Sequence, residues 1–456
     1  PISQAWLRHI DFPNPLALPN WRPSAPPDPP RAERMAHFLV LALVAGLAGR
    51  TQALRAAGVN CQAFWSVVST MRLNPLNSTY QRWGCGRISQ CVDTTNKQTQ
   101  DEAAAAGALE AVVLAMRQFP EDKDLQSQCI GAAARPSLFN RENTLRAGRL
   151  GALNLTLRAY RKWMDDPKLT NHGGDIGCFL DYSDENRAML RDLGGVQMLI
   201  QNIRNNFHGR FSEWDYSSVK NSLYGLSSGT WTNQDIAHAE GFIPLAVQLM
   251  MERTAEEKIA EETLQAVKAM FYASDEYRRE FAQRGLPQAM IKVLRENSHD
   301  RGAVSLVCDS FRHLVGPSFL VGPIGGFALK EQDPQILAEA TRAGMVEQLL
   351  ETVMGGASLQ HKQHNFNFNV DEAYNAEADC LDALAAVGTN SETNIQAMLK
   401  AGLVDHLVAR LLAGKDSQRT RMTACRVVGM LVAPAQNDTA QAVAKGAADA
   451  CQLGAR

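Results

Sequence analysis

The stretch Cys380–Leu412, CLDALAAVGTNSETNIQAMLKAGLVDHLVARLL, decides the fold. Leu381, Leu384, Ala385 and Val387 share one face of a first predicted helix. The polar run Thr389-Asn390-Ser391-Glu392-Thr393 stops it, and a short second helix follows from Asn394 to Lys400. Gly402 breaks that helix, and a third begins at once with Leu403, Val404, Leu407, Val408, Leu411 and Leu412 facing inward. Apolar residues at i, i+3, i+4 and i+7 mark helices that bury a single stripe. A chain turning sharply between two packed helices needs a residue without a Cβ, which is what Gly402 provides.

The unit recurs. A glycine followed by an apolar helical run appears at Gly58, Gly107, Gly151, Gly195, Gly241, Gly285, Gly344, Gly402 and Gly446, in steps of 49, 44, 44, 46, 44, 59, 58 and 44 residues. A helical repeat of about 40–47 residues is the signature of a stacked solenoid. Asn143, Asn233 and Asn394 lie eight residues before Gly151, Gly241 and Gly402, and Asn186 lies eight before Gly194. The pattern N-x-x-x-apolar-x-x-x-G-apolar-apolar resembles the armadillo repeat, over roughly residues 36–456. Gly107–Cys129 is also similar to the armadillo arrays in the amino-terminal regions of large leucine-rich-repeat kinases. The resemblance implies an all-α, right-handed superhelical solenoid of armadillo-type repeats.

It also implies a function. In the armadillo family the concave groove binds an extended peptide or another protein, and in the nuclear-import adaptors a ladder of Trp and Asn does so. Aligning W-x-x-x-N on the helix before each polar turn gives Tyr224 and Ser228, Lys268 and Tyr272, Asp309 and His313, Asp382 and Ala386, and Arg426 and Met430. The ladder is absent, which sets aside recognition of nuclear-localisation signals. The residues expected to line a partner-binding groove are Tyr224, Lys268, Tyr272, Asp309, His313, Asp382 and Arg426.

Composition narrows the classes. Length alone would suggest about three globular domains, but stacked repeats share one continuous core. A net charge of −2 gives no cationic field to capture nucleic acid. No apolar run reaches the roughly eighteen residues of a membrane span. The nine cysteines are odd in number, and Cys129, Cys178, Cys308, Cys380 and Cys425 fall in the helix before the turn. They read as small apolar packing residues in a reducing compartment rather than as a disulfide framework. The expected location is therefore cytoplasmic.

Residues 1–34 hold nine of the nineteen prolines and read as a disordered or polyproline tail. Residues 35–106 read as degenerate amino-terminal repeats, and 107–456 as the solenoid proper. Met35–Ala53 contains the apolar run Phe38–Gly49 and fits a secretory signal as the alternative, giving a secreted or organelle-targeted protein. The sequons at Asn77, Asn154 and Asn437 are read as chance matches. Within 69–106 the apolar stripe is thin and consists of Trp83, Ile88 and Val92.

Three stretches depart from the unit: Asn205–Tyr216, Gly316–Phe327 and Gly355–Tyr374. Loops that interrupt a rigid scaffold are where function tends to sit. The Gly and Pro content of Gly316–Phe327 argues against a regular helix. His361 and His364 lack further ligands at metal-binding spacing, as do Cys85 and Cys91, so no metal and no cofactor is expected. The single G-x-S-x-G match, Gly225-Leu226-Ser227-Ser228-Gly229, closes a predicted helix instead of following a strand, and is not a nucleophile elbow. These observations predict a non-enzymatic scaffold that binds a protein or extended peptide, in an oligomeric state the sequence leaves open. The alternative is the regulatory arm of a larger signalling enzyme, of which this chain is a fragment, since only ten residues follow Gly446.

Overall fold

Each repeat turns on a glycine whose backbone is left-handed. In the computed structural model, Gly107, Gly151, Gly194, Gly241, Gly285, Gly344 and Gly402 all have φ between 68° and 92°. In the fourth repeat the turning residue is thus Gly194, one before the expected Gly195. The residue two places after the glycine is buried in each repeat, as at Leu109, Leu153, Val196, Ile243, Val346 and Val404. Each such side chain contributes about 1.5–3 kcal/mol of burial.

The structure describes residues 64–180, 183–207, 213–229, 233–253, 257–271, 274–316, 319–321, 327–329, 332–355, 375–414 and 416–432. A partial repeat opens it, with α1 (Phe64–Leu73) and α2 (Ser78–Cys91). Seven complete repeats follow, each with a short first helix, a second after the glycine, and a third. They are α3 (Lys97–Ala105), α4 (Ala108–Gln118) and α5 (Lys123–Ala134); then α6 (Arg141–Leu150), α7 (Ala152–Lys162) and a third helix in two pieces, α8 (Pro167–Thr170) and α9 (Gly173–Cys178). Next come α10 (Asp184–Asp192), α11 (Gly195–Phe207) and α12 (Glu213–Gly229), then α13 (Gln234–Ala239), α14 (Phe242–Glu252) and α15 (Glu257–Phe271). The last three repeats are α16 (Asp275–Gln283), α17 (Leu286–Glu296) and α18 (Arg301–Val315); α19 (Pro334–Arg342), α20 (Met345–Met354) and α21 (Ala376–Gly388); and α22 (Glu392–Lys400), α23 (Leu403–Ala413) and α24 (Gln418–Val432). The chain is an all-α superhelical solenoid, interrupted among the described residues by one short antiparallel strand pair.

The asparagines eight before the glycines have a structural reason. Asn143, Asn186 and Asn394 each donate from Nδ2 to the carbonyl seven residues back, at Pro136 (2.9 Å), Phe179 (2.7 Å) and Val387 (2.9 Å). Those carbonyls end the preceding third helix or its extension, where helix geometry leaves acceptors unpaired. Asn143, Asn186 and Asn233 also reach into the previous repeat, to the carbonyls of Gln100, Thr144 and Arg187. One side chain thus ties three helix ends together. Arginines on the second helices do a related job. Arg117 and Arg161 donate to the carbonyls of Leu150 (2.6 Å) and Leu193 (2.5 Å), and Arg204 to that of Glu240. Each cation sits at the carboxyl end of the next repeat's first helix, where the dipole favours it.

Several expectations change. In the thin stripe expected within 69–106, Ile88 and Val92 are fully buried, but Trp83 is 38% exposed and is not part of it. The stretch Asn205–Tyr216 is not one loop, because Asn205–Phe207 finish α11 and Glu213–Tyr216 begin α12. Gly316–Phe327 contributes to an antiparallel pair, β1 (Phe319–Val321) and β2 (Phe327–Leu329), with Phe319 opposite Leu329 and Val321 opposite Phe327. The cysteines differ most. Cys85 is bonded to Cys129 and Cys308 to Cys380. Neighbouring third helices bring equivalent positions face to face, a pairing that spacing within one helix does not reveal. The Pro-rich tail, Met35–Ala53, Tyr272, His361, His364 and the unit at Gly446 lie outside the described residues. Among the described residues no helix is long and apolar enough to cross a membrane.

Candidate functional site

The third helices pack on one another in succession, α2 on α5, α5 on α9, then α12, α15, α18, α21 and α24. This row forms one face of the solenoid, and it is where a groove would lie. The residues expected to line it sit as follows. Tyr224 is 7% exposed within α12. Lys268 on α15 bonds Asp309 on α18, with both side chains nearly buried. Asp309 also accepts from Arg312 at 2.7 Å, and its carbonyl lies 2.7 Å from His313 Nδ1. Asp382 on α21 pairs with Arg426 on α24. Beside them, Asp379 on α21 accepts from Ser305 of α18 and Arg419 of α24. These side chains largely bond one another across repeat boundaries.

Burial and charge set their protonation. Burial alone would raise the pKa of Asp309, but Lys268, His313 and Arg312 outweigh it and hold the carboxyl well below its usual range. His313 moves the other way from a typical paired histidine. Burial, with Lys268 and Arg312 close by, brings its pKa down to about 4 despite Asp309. Burial raises Asp379 in spite of Arg419 and Ser305.

At the other end of the same face is a hollow of about 690 Å³. It lies beside the break between α8 and α9, with Asn171 and His172 of that turn in its lining. Gly173 and Gly174 open α9 so close to α12 that a Cβ at Gly173 would lie 2.9 Å from Ser222 Oγ and 3.0 Å from its backbone nitrogen. Asn221 Nδ2 donates to the Asn171 carbonyl at 2.7 Å and holds the turn against α12. The hollow is lined by Arg82 and Trp83 from α2, Asp124, Ser127 and Gln128 from α5, and Lys168, Asn171 and His172 from α8 and the turn after it. Arg82 lies 2.9 Å from Asp122, and Lys168 lies 3.6 Å from Asp124. The rim thus carries both signs of charge around an exposed indole.

His172 links two other residues here. Ser127 Oγ is 2.9 Å from its Nε2, and Asp175 Oδ2 is 2.5 Å from its Nδ1. That is the order of a serine–histidine–aspartate relay. Acyl transfer also needs donors aimed at the developing oxyanion. Ser127 lies inside α5, where the backbone amides beside it bond within the helix. We therefore read the trio as a polar clip joining α5 to the broken helix. Among the described residues no cluster of three or more His, Cys, Asp or Glu is placed to hold a metal ion.

The sequence places Trp83 in a buried stripe and gives no expectation for Ser127 and His172. A signal was present: Trp83, Ser127 and Asn171 are spaced at 44 residues, the period of the repeat.

No protein-family model matches this chain, and no curated protein matches it. Solved structures do. An engineered protein aligns with a TM-score of 0.63 at 16% identity, over 92% of this chain and 98% of its own. A structure reported under "A conserved phosphorylation switch controls the interaction between cadherin and beta-catenin in vitro and in vivo" aligns with a TM-score of 0.51 at 10% identity, over 86% of this chain and 83% of its own. A designed armadillo repeat protein in complex with the peptide (KR)4 aligns at 14% identity with a TM-score of 0.43, over 61% of this chain and 99% of its own. The fold is armadillo-like. At these identities the likeness is one of fold, carried by the three-helix repeats and the first two alignments.

Proposed function

We propose that this solenoid is a non-enzymatic scaffold that binds an extended segment of a partner protein along the face built by its third helices. The observation that carries the reading is the hollow of about 690 Å³ on that face, with Trp83 38% exposed on its wall. An exposed indole beside a polar rim is a typical anchor for a peptide side chain. The mixed charges of Arg82, Asp124 and Lys168 suit a peptide with polar side chains better than a polyanion, in keeping with the net charge of −2. A structure of similar fold comes from work on the interaction between cadherin and beta-catenin, which accords with a protein-binding role. Of the groove positions read from the sequence, Asp382 and Arg426 form the more accessible pair, with Arg426 61% exposed. We place them at the far end of the same binding track.

The test is selection of peptides from a random display library against the full chain, followed by titration of the selected peptide. Trp83→Ala is expected to weaken binding at least about tenfold, or about 1.4 kcal/mol. Asp382→Ala with Arg426→Ala is expected to cost less. If neither variant changes the affinity, the groove assignment is wrong and the peptide binds elsewhere.

A further inference from the structure

Among the described residues, Cys85, Cys91, Cys129, Cys308, Cys380 and Cys425 are in disulfides. We propose that this chain matures and acts in a compartment that oxidises thiols, with its third helices permanently cross-linked along their stack. This is independent of the peptide-binding reading.

Both fully described bonds cross a seam between repeats. Cys85–Cys129 joins α2 to α5, and Cys308–Cys380 joins α18 to α21. Neither lies within a single repeat, so each adds a covalent staple to units that are otherwise held by packing and by polar contacts such as Arg82 with Asp122 and Ser305 with Asp379. The backbones are drawn in to Cα separations of 4.8 and 4.7 Å, near the short end of the disulfide range of about 4.4–6.8 Å. Unbonded heavy atoms settle on the order of 3.5–4 Å apart, so a pair of thiols would push these seams open. The first seam is shaped for close approach. A Cβ on Gly86 would lie 3.2 Å from Gln128 Oε1, and one on Gly131 would lie 3.0 Å from Ser89 Oγ. At the second, Ser305 bonds Asp379 directly beside the bridge, and Ala378 and Ala383 are fully buried.

All four of these cysteines have no exposed surface. A regulatory disulfide must be reached by its reductant; these are closed off once the repeats have stacked. They belong to the class of permanent cross-links, which form during folding. Each bond arises by thiol–disulfide exchange with an oxidised dithiol donor. Two cysteine thiols lose two protons and two electrons, and the donor's disulfide leaves as a dithiol. Reducing compartments run this exchange in the opposite direction.

The experiment uses the full chain taken from its own cells. Cells are lysed into denaturant with one thiol-alkylating reagent. The protein is then reduced, treated with a second reagent of different mass, digested and weighed peptide by peptide. The expected result is the second label alone on Cys85, Cys129, Cys308 and Cys380, with the linked peptide pairs visible before reduction. The first label on all four would overturn the proposal. The readout needs no variant, so misfolding cannot imitate either result.

Discussion

Lys268 and Asp309 form a nearly buried ion pair between third helices, and removing the lysine tests how far the stack depends on it. Their side chains are 10% and 12% exposed. In Lys268→Met the stem is replaced by an apolar chain of similar length, and Asp309 loses its nearest cation. At an effective dielectric near 20, a contact pair is worth about 4 kcal/mol of attraction. Breaking a buried pair from one side costs about 3–5 kcal/mol, because a charge stays behind. Arg312, 2.7 Å from the other carboxylate oxygen, recovers part of this, so we expect a loss of about 2–3 kcal/mol. Lys268→Met with Asp309→Leu removes both charges and should return to within about 1 kcal/mol of the parent. Solenoids need not unfold in one step, so the assay is native-state hydrogen exchange on the amides of α15 and α18. The reasoning also fixes a pH dependence. The Asp309 pKa is depressed in the folded state, so its contribution is complete above the unfolded value of about 3.9 and is lost as pH falls below it. If Lys268→Met opens within about 0.5 kcal/mol of the parent, or the double variant is no better than the single one, the pair does not hold the stack.

Other residues give independent checks. His313 is held neutral with a pKa of about 4, so stability is full above the unfolded value of about 6.5 and declines as pH drops towards 4; in His313→Gln, thermal melts across that window should lose most of this slope. Gly402 has φ of 76° and no heavy atom within 4 Å of a built Cβ, so Gly402→Ala should cost about 1–2 kcal/mol from backbone strain alone. Gly429 lies within α24 with equally open surroundings, and Gly429→Ala should instead stabilise by about 0.5–1 kcal/mol in the same denaturation series. Asn186→Ala strips buried donors from the carbonyls of Phe179 and Thr144 and should cost about 1–3 kcal/mol, read as faster exchange at the α9–α10 junction.

The period, the three helices and their glycine turns were legible because each depends on residues close in sequence. Gly402 is left-handed as its place between two helices requires, and Leu403, Val404, Leu407 and Leu411 are buried as their spacing implies. Leu412, expected to face inward, is instead 62% exposed because it lies at the helix end off that stripe. The recurring asparagines were visible as a pattern, but their work was not. Asn186 acts through the carbonyls of Phe179 and Thr144, and Thr144 lies a whole repeat away. The disulfides escaped for the same reason. Cys85 meets Cys129 only because helices 44 residues apart stack in register. Trp83 was misjudged because an aromatic residue at helical spacing suits either the buried stripe or the open face, and only the direction of α2 against α5 decides between them.

That distinction bears on where a ligand would bind. Regular positions on the third helices are adjacent from repeat to repeat, so a charge placed there finds its partner in the next repeat before it finds one in solution. Lys268 with Asp309, Asp379 with Arg419 and Asp382 with Arg426 follow this rule. A ligand competing for the first of them would have to break a nearly buried ion pair and leave one charge unmatched, a cost of several kcal/mol. At the hollow the charges are paired across repeats as well, Arg82 with Asp122 and Lys168 with Asp124, but these pairs are solvent-exposed and cost little to break. Trp83 is 38% exposed on the wall of the hollow beside Ser127 and His172. On the proposed scaffold reading, the hollow is therefore where binding costs least, and selectivity for a partner should follow the residues around Trp83 more closely than the pairs Lys268–Asp309 and Asp382–Arg426.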